Sequence, residues 1–155
     1  MVIRRAMRRV AVVLLHLVVL SACAWAQESG YGVGVLLGEP TGLSGKAWVS
    51  GQNAIDGGLA YSFRSKGCFH IHGDYLWHFP DVIQSAERFP LYAGIGGRIA
   101  TGKGGAIFGV RIPLGVAFWV RSAPIELFLE VAPILDLAPA TEFSANAGLG
   151  ARFYF

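Results

Sequence analysis

Residues 68–78 read CFHIHGDYLWH, and the alternation of their side chains decides how the chain folds. In an extended strand successive side chains point to opposite faces. On that spacing His70, His72, Asp74 and His78 share one face, while Phe69, Ile71, Gly73, Tyr75 and Trp77 share the other. One face is polar and titratable, the other apolar and aromatic. The fold turns on whether the apolar face meets a core or lipid.

The neighbouring segments repeat the pattern. In 55–63, Ile55, Gly57, Leu59, Tyr61 and Phe63 alternate with Asp56, Gly58, Ala60 and Ser62. In 108–118, Phe108, Val110, Ile112, Leu114, Val116 and Phe118 alternate with Gly109, Arg111, Pro113, Gly115 and Ala117. A water-soluble barrel places its bulky apolar residues inside. Here the face carrying the charges is also the glycine-rich one, so small residues and paired charges fill a narrow interior and the bulky set faces outward.

The first 26 residues are set apart from this pattern. Arg4, Arg5, Arg8 and Arg9 precede the apolar run Val10–Leu20, and Ala24-Trp25-Ala26 stands before Gln27. That is a secretory signal peptide with an A-x-A cleavage site, and its apolar run falls short of the roughly 20 residues of a spanning helix. Leu20-Ser21-Ala22-Cys23 also fits a lipobox, with Cys23 as a lipidated N-terminus. Both cleavages suit the same run, and plain cleavage after Ala26 is the expectation. Without the four arginines, nine basic side chains face ten acidic ones. This near-neutral balance offers no basic patch for nucleic acid. Cys68 is then the one cysteine left, which excludes a disulfide framework.

After the signal no run of 18 apolar residues occurs, so spanning helices are excluded while the composition stays apolar and glycine-rich. Turn residues divide residues 27–155 into eight expected strands: 31–37, 43–50, 55–63, 68–78, 91–100, 106–120, 125–137 and 143–155. The fold class expected is all-β, an eight-stranded antiparallel transmembrane up-and-down β-barrel in the bacterial outer membrane. Tilted membrane strands take about 9–11 residues, and eight is the smallest common closure. Pro113 and Pro133 weaken the sixth and seventh strands, because proline donates no ladder bond. The connection Phe79–Pro90 is the longest, and Val82, Ile83, Ala86 and Phe89 have helix-like spacing. Outward Gly97 has no evident purpose.

Outward aromatics gather toward strand ends, among them Tyr31, Tyr61, Phe63, Phe69, Tyr75, Trp77, Phe108, Phe118, Phe143, Phe153 and Phe155. Strand middles carry Leu59, Ile71, Ile112, Leu129 and Leu149. Two aromatic girdles around an aliphatic band are the expected surface of a membrane barrel. The last strand, GLGARFYF, puts Phe153 and Phe155 outward and resembles the C-terminal signal that the barrel-assembly machinery recognises.

GEPTGLSGK (38–46), DYLWH (74–78), YAGIGGR (92–98), GVRIPLGV (109–116) and FLEVAPILDLAP (128–139) together resemble a family of small bacterial outer-membrane β-barrel proteins of unknown function, distantly OmpA-like in architecture. The resemblance runs from about Gly30 to Phe155. It implies an eight-stranded outer-membrane barrel and brings no reaction or ligand with it.

The inward set holds Lys46, Arg98, Arg111 and Arg152 against Asp56, Asp74, Glu126, Glu130 and Asp136, with His70 and His72 among them. Such charges pair inside a narrow barrel, because an unpaired buried charge is costly. A plugged lumen is expected, with a structural or interaction role in the envelope, outer-membrane lipid as surroundings, and a monomeric state. Binding of one small ligand in the barrel is the next expectation, and two sharper alternatives stand beside it. His70, His72 and Asp74 have strand spacing for a metal, opposed by the neighbouring arginines. Ser62, Ser65 and His70 near one hairpin are the best set for a lipid-modifying deacylase or acyltransferase, yet Ser62 and His70 face inward and the His-x-Ser arrangement is absent. No cofactor is expected. GIGGR and TGKGG lack the full spacing of a phosphate loop.

Overall fold

The computed structural model describes residues 30–63, 68–83, 89–102 and 105–155. Segment 1–26 with Cys23, the expected signal peptide, and Ser65 lie outside them. The fold is all-β and antiparallel, with no helix among the described residues. Nine strands form it: β1 (Tyr31–Glu39), β2 (Thr41–Trp48), β3 (Asn53–Ser62), β4 (Cys68–Phe79), β5 (Leu91–Gly102), β6 (Gly105–Arg111), β7 (Leu114–Trp119), β8 (Ile125–Ala138) and β9 (Glu142–Tyr154). Strands adjacent in the ring pair antiparallel, and β1 pairs with β9 from Gly32↔Tyr154 to Glu39↔Ala147. The sheet closes in a ring and leaves no free edge.

The expected single strand 106–120 is two strands, which makes nine segments where eight were expected. Both β6 and β7 lie between β5 and β8. The break falls at Ile112-Pro113, where Pro113 has no N–H to donate, and the facing strand carries Pro133, which lacks one too. The ladder still bridges the gap: Ile112 N–H donates to the Pro133 carbonyl at 3.0 Å, and Gly94 N–H donates to the Pro113 carbonyl at 2.8 Å.

The ring's two ends differ. Pro40, Phe63, Gly105 and segment 139–141 lie at one end; segments 49–52, 80–83, 89–90 and 120–124, with Gly30 and Phe155, lie at the other. The long connection is turn and bend through residue 83, and the expected helix falls partly on 84–88, outside the described residues. Phe89 packs on Phe118 with ring centroids 5.2 Å apart.

Bulky apolar side chains cover the outside: Leu59 is 58% exposed, Ile71 53% and Leu129 53%, while Leu43, Ile95, Ile99 and Leu149 share their face. Outward aromatics cluster at the two ends, Tyr61 with Phe63 and Phe69 at one, Tyr75 with Trp77 at the other. Away from the strand ends, where Glu39 and Glu142 stand, the charged side chains of the strands lie inside.

Inward glycines make the interior possible. Tyr154 pairs with Gly32, His72 with Gly58, Tyr92 with Gly115 and Phe128 with Gly150. A β-carbon would come within 2.7 Å of the Tyr154 ring at Gly32 and 2.5 Å of the His72 ring at Gly58, and closer still at Gly115 and Gly150. These four large inward rings therefore lie over strand positions without a side chain. Gly97 belongs to a different set: Gly45, Gly57, Gly73 and Gly97 face outward in one row across β2 to β5, and a β-carbon on any of them would meet nothing closer than 3.2 Å.

This contrast is testable. Gly150→Val should lower stability by about 1–3 kcal/mol or more, or prevent folding, through overpacking. Gly73→Val should stay within about 0.5 kcal/mol of wild type. Denaturant titration followed by circular dichroism separates the two, and equal effects would contradict the assignment of faces.

Candidate functional site

The lumen holds the polar chemistry of the chain. Lys46, Asp56, His70, His72, Asp74, Arg98, Arg111, Glu126, Glu130, Asp136 and Arg152 are all buried, none more than 9% exposed. Alternation along each strand puts them there, and the closed ring keeps water from reaching them from the side.

Arg152 on β9 sits at the centre. Its guanidinium donates to Asp56 on β3, to Glu126 Oε2 on β8 at 3.4 Å and to Ser44 Oγ on β2 at 2.9 Å, and lies 3.8 Å from the Phe128 ring centroid. Lys46 Nζ donates to Glu126 Oε1 at 2.7 Å, and Tyr154 Oη donates to Oε2 at 2.6 Å. A second knot forms around Glu130, which accepts from Arg111 at 2.5 Å and from Tyr92 Oη at 3.0 Å. Arg98 holds Asp136 through two bonds, at 3.0 and 2.5 Å, and donates to Ser144 Oγ at 3.2 Å. The charges thus pair across strands distant in sequence, as buried ions must if their desolvation is to be offset.

Aromatic rings floor the lumen at the end that carries Gly30 and Phe155. Trp48 lies 4.4 Å from the His78 ring and 6.5 Å from Trp119, His78 lies 5.5 Å from Tyr92, and Trp119 lies 4.9 Å from Tyr154. Lys46 Nζ stands 4.6 Å from the Trp48 ring centroid, in cation–π range. Toward the other end Pro40 turns inward and is fully buried. Its hairpin is held by Thr41 Oγ1, which donates to the Gly38 carbonyl at 2.8 Å, and by Glu39, which accepts from Ser62 Oγ. Between them a cavity of about 10 Å³, lined by Leu36, Pro40, Arg111, Glu130 and Gly148, has space for about one water.

The candidates named from the sequence separate in the folded chain. Ser62 is buried with its hydroxyl on Glu39, and neither ring nitrogen of His70 makes a hydrogen bond, so the two form no nucleophile–base pair. Among the described residues, the trio whose donor atoms converge is Asp56, His72 and Asp74, all within 4.8 Å of one another. His70 stands outside this set, and Asp56 from the facing strand takes its place. Phe153 and Phe155 point outward, 43% and 59% exposed, and Phe155 exchanges backbone bonds with Tyr31.

Ser44, Trp48, Tyr92, Trp119 and Ser144 also belong to the lumen, and the charge pattern of the sequence does not single them out. Alternation gives their phase, but an inward aromatic looks locally like any other apolar residue. For Tyr92 the distinguishing signal is a glycine directly opposite, Gly115, whereas Trp48 and Trp119 face Ala54 and Glu126.

Comparison with family models, curated proteins and solved structures gives no match to this chain.

Removing Arg152 should be the most damaging neutralisation in the lumen, because Asp56 and Glu126 both lose a partner. Arg152→Met is expected to cost about 3–5 kcal/mol. Arg98→Met, which strands Asp136 alone, should cost less. Denaturant midpoints of the two variants provide the check, and the reverse order would contradict the central position of Arg152.

Proposed function

We propose that the chain is a small, sealed outer-membrane β-barrel with a structural or interaction role in the cell envelope, exported by its N-terminal segment 1–26. In this reading β6 and β7 act as one ribbon interrupted by Pro113, so eight ribbons cross the membrane. One observation carries it: the bulky apolar side chains lie on the outside of the ring while the charges lie inside. Water-soluble monomers rarely expose apolar patches beyond about 300–600 Å², and a continuous apolar band around a closed sheet has its natural surroundings in lipid. Strand crossing suits the backbone as well, because a closed sheet satisfies its N–H and C=O groups without water.

The aromatic clusters at the two ends fit headgroup girdles, with aliphatic Leu59, Ile71, Ile99 and Leu129 between them. The resemblance of GEPTG and FLEVAP to small outer-membrane barrels points the same way. An open pore has no support, because aromatic rings, salt bridges and Pro40 fill the lumen from end to end. Among the described residues, Ser62 and His70 are not joined as nucleophile and base. The outer surface is what the protein offers to lipid and to envelope partners.

Cell fractionation tests this reading. The protein should partition with the outer membrane, and once purified it should migrate on gels as a compact band that shifts on boiling. A species recovered soluble in periplasmic extract would contradict it. In planar bilayers no steady conductance is expected from the wild type.

A further inference from the structure

Among the described residues, the charges in the middle of the lumen do not balance. Lys46, Arg111 and Arg152 face four carboxylates, Asp56, Asp74, Glu126 and Glu130, while Arg98 and Asp136 satisfy each other. Glu126 accepts three hydrogen bonds, Glu130 two, and Asp56 is held by Arg152. Asp74 is the exception. It is 4% exposed, yet neither carboxylate oxygen accepts a hydrogen bond, and Arg111 Nε stands 3.1 Å from Oδ2 without bonding alignment.

Register brings the excess charge to one point. Asp74 stands directly opposite Asp56, an arrangement that like charges disfavour. His72 shares the inward face of β4 with Asp74 and lies against Gly58, which leaves its Nε2 3.8 Å from Asp56 Oδ1. One donor atom from each of the three residues falls within 4.8 Å of the others. We propose that Asp56, His72 and Asp74 bind a divalent transition-metal ion of the zinc type inside the lumen.

The donor set selects the class. One imidazole nitrogen and two carboxylate oxygens suit zinc and its neighbours, whereas calcium and magnesium prefer oxygen alone and more ligands. Zinc bonds of about 2.0–2.2 Å need the donors closer together than they stand, a change that side-chain torsions of the three residues supply. The arginines do not exclude the ion. Arg152 bonds Asp56 through Oδ2 and leaves Oδ1 turned toward His72, the role an outer partner plays in orienting a metal-binding carboxylate. A zinc ion with hydroxide as its fourth ligand carries one net positive charge, which cancels the single negative excess.

The test loads the metal during folding, because the lumen is packed. The full mature chain is refolded with chelator or with zinc chloride, freed of unbound ion, and measured for metal content and thermal midpoint. About one zinc per chain and a midpoint raised by several degrees are expected for the wild type and for His70→Gln. His72→Gln and Asp74→Asn should each weaken zinc binding at least tenfold while keeping the strand signal in circular dichroism. Wild type that retains no more zinc than His72→Gln would overturn the proposal. Should a variant fail to fold, cobalt(II) in the wild-type chain decides: visible bands of a tetrahedral site support it, and the spectrum of the aqueous ion overturns it.

Discussion

A fully buried guanidinium on the last strand, bonded at once to carboxylates on β3 and β8, holds the ring to its closed geometry. Arg152 reaches across the lumen to Asp56, stands beside Glu126 and caps Ser44. Moving an ion of that size from water into a low-dielectric interior costs on the order of 20 kcal/mol in the idealised limit, so Arg152 is tolerable only with its partners in place. Glu126 faces Arg152 across the β8–β9 pair, whereas Asp56 and Ser44 come from β3 and β2, which reach β9 only where the ring closes through β1. The interior charges thus favour one closed arrangement over the many open ones available to a sheet with an apolar face.

The same requirement explains the distribution of glycine. A narrow ring has space for Tyr154, His72, Tyr92 and Phe128 because the facing strand has no side chain at Gly32, Gly58, Gly115 and Gly150. Ionic core and glycine content are therefore two aspects of one packing solution. Aromatic rings close the end with Gly30 and Phe155, and the buried Pro40 narrows the other, so the network lies between two stoppers. The outward face carries no such constraint, and its glycines at 45, 57, 73 and 97 have open space beside them.

Much of this is legible in the sequence because period-two alternation fixes which face each residue takes once a strand is recognised. CFHIHGDYLWH shows both faces in eleven residues. What alternation does not provide is register. From one strand, His70, His72 and Asp74 look like the natural ligand group, whereas the residue that joins His72 and Asp74 is Asp56, placed opposite Asp74 by the β3–β4 pairing. Pairing between strands likewise determines the break at Pro113, since a lone proline weakens a ladder, and here Pro133 on the neighbouring strand, beside Ile112, removes a second donor at the same place. Pro40 reads locally as a turn residue, and its inward burial depends on the hairpin folding over the lumen, which no local pattern specifies.

In the proposed membrane barrel the sheet is inverted relative to a water-soluble one, with lipid outside and ions within. Two tryptophans on opposite faces report on it directly: Trp77, 42% exposed on the outside, and Trp119, 3% exposed in the floor of the lumen. Variants that keep one of them, with the other and Trp48 replaced by phenylalanine, can be folded into vesicles whose lipids carry bromine near the headgroup. Quenching of Trp77 with Trp119 largely unaffected is the predicted result. Quenching of Trp119 at least as strong as that of Trp77, or quenching of neither, would contradict it.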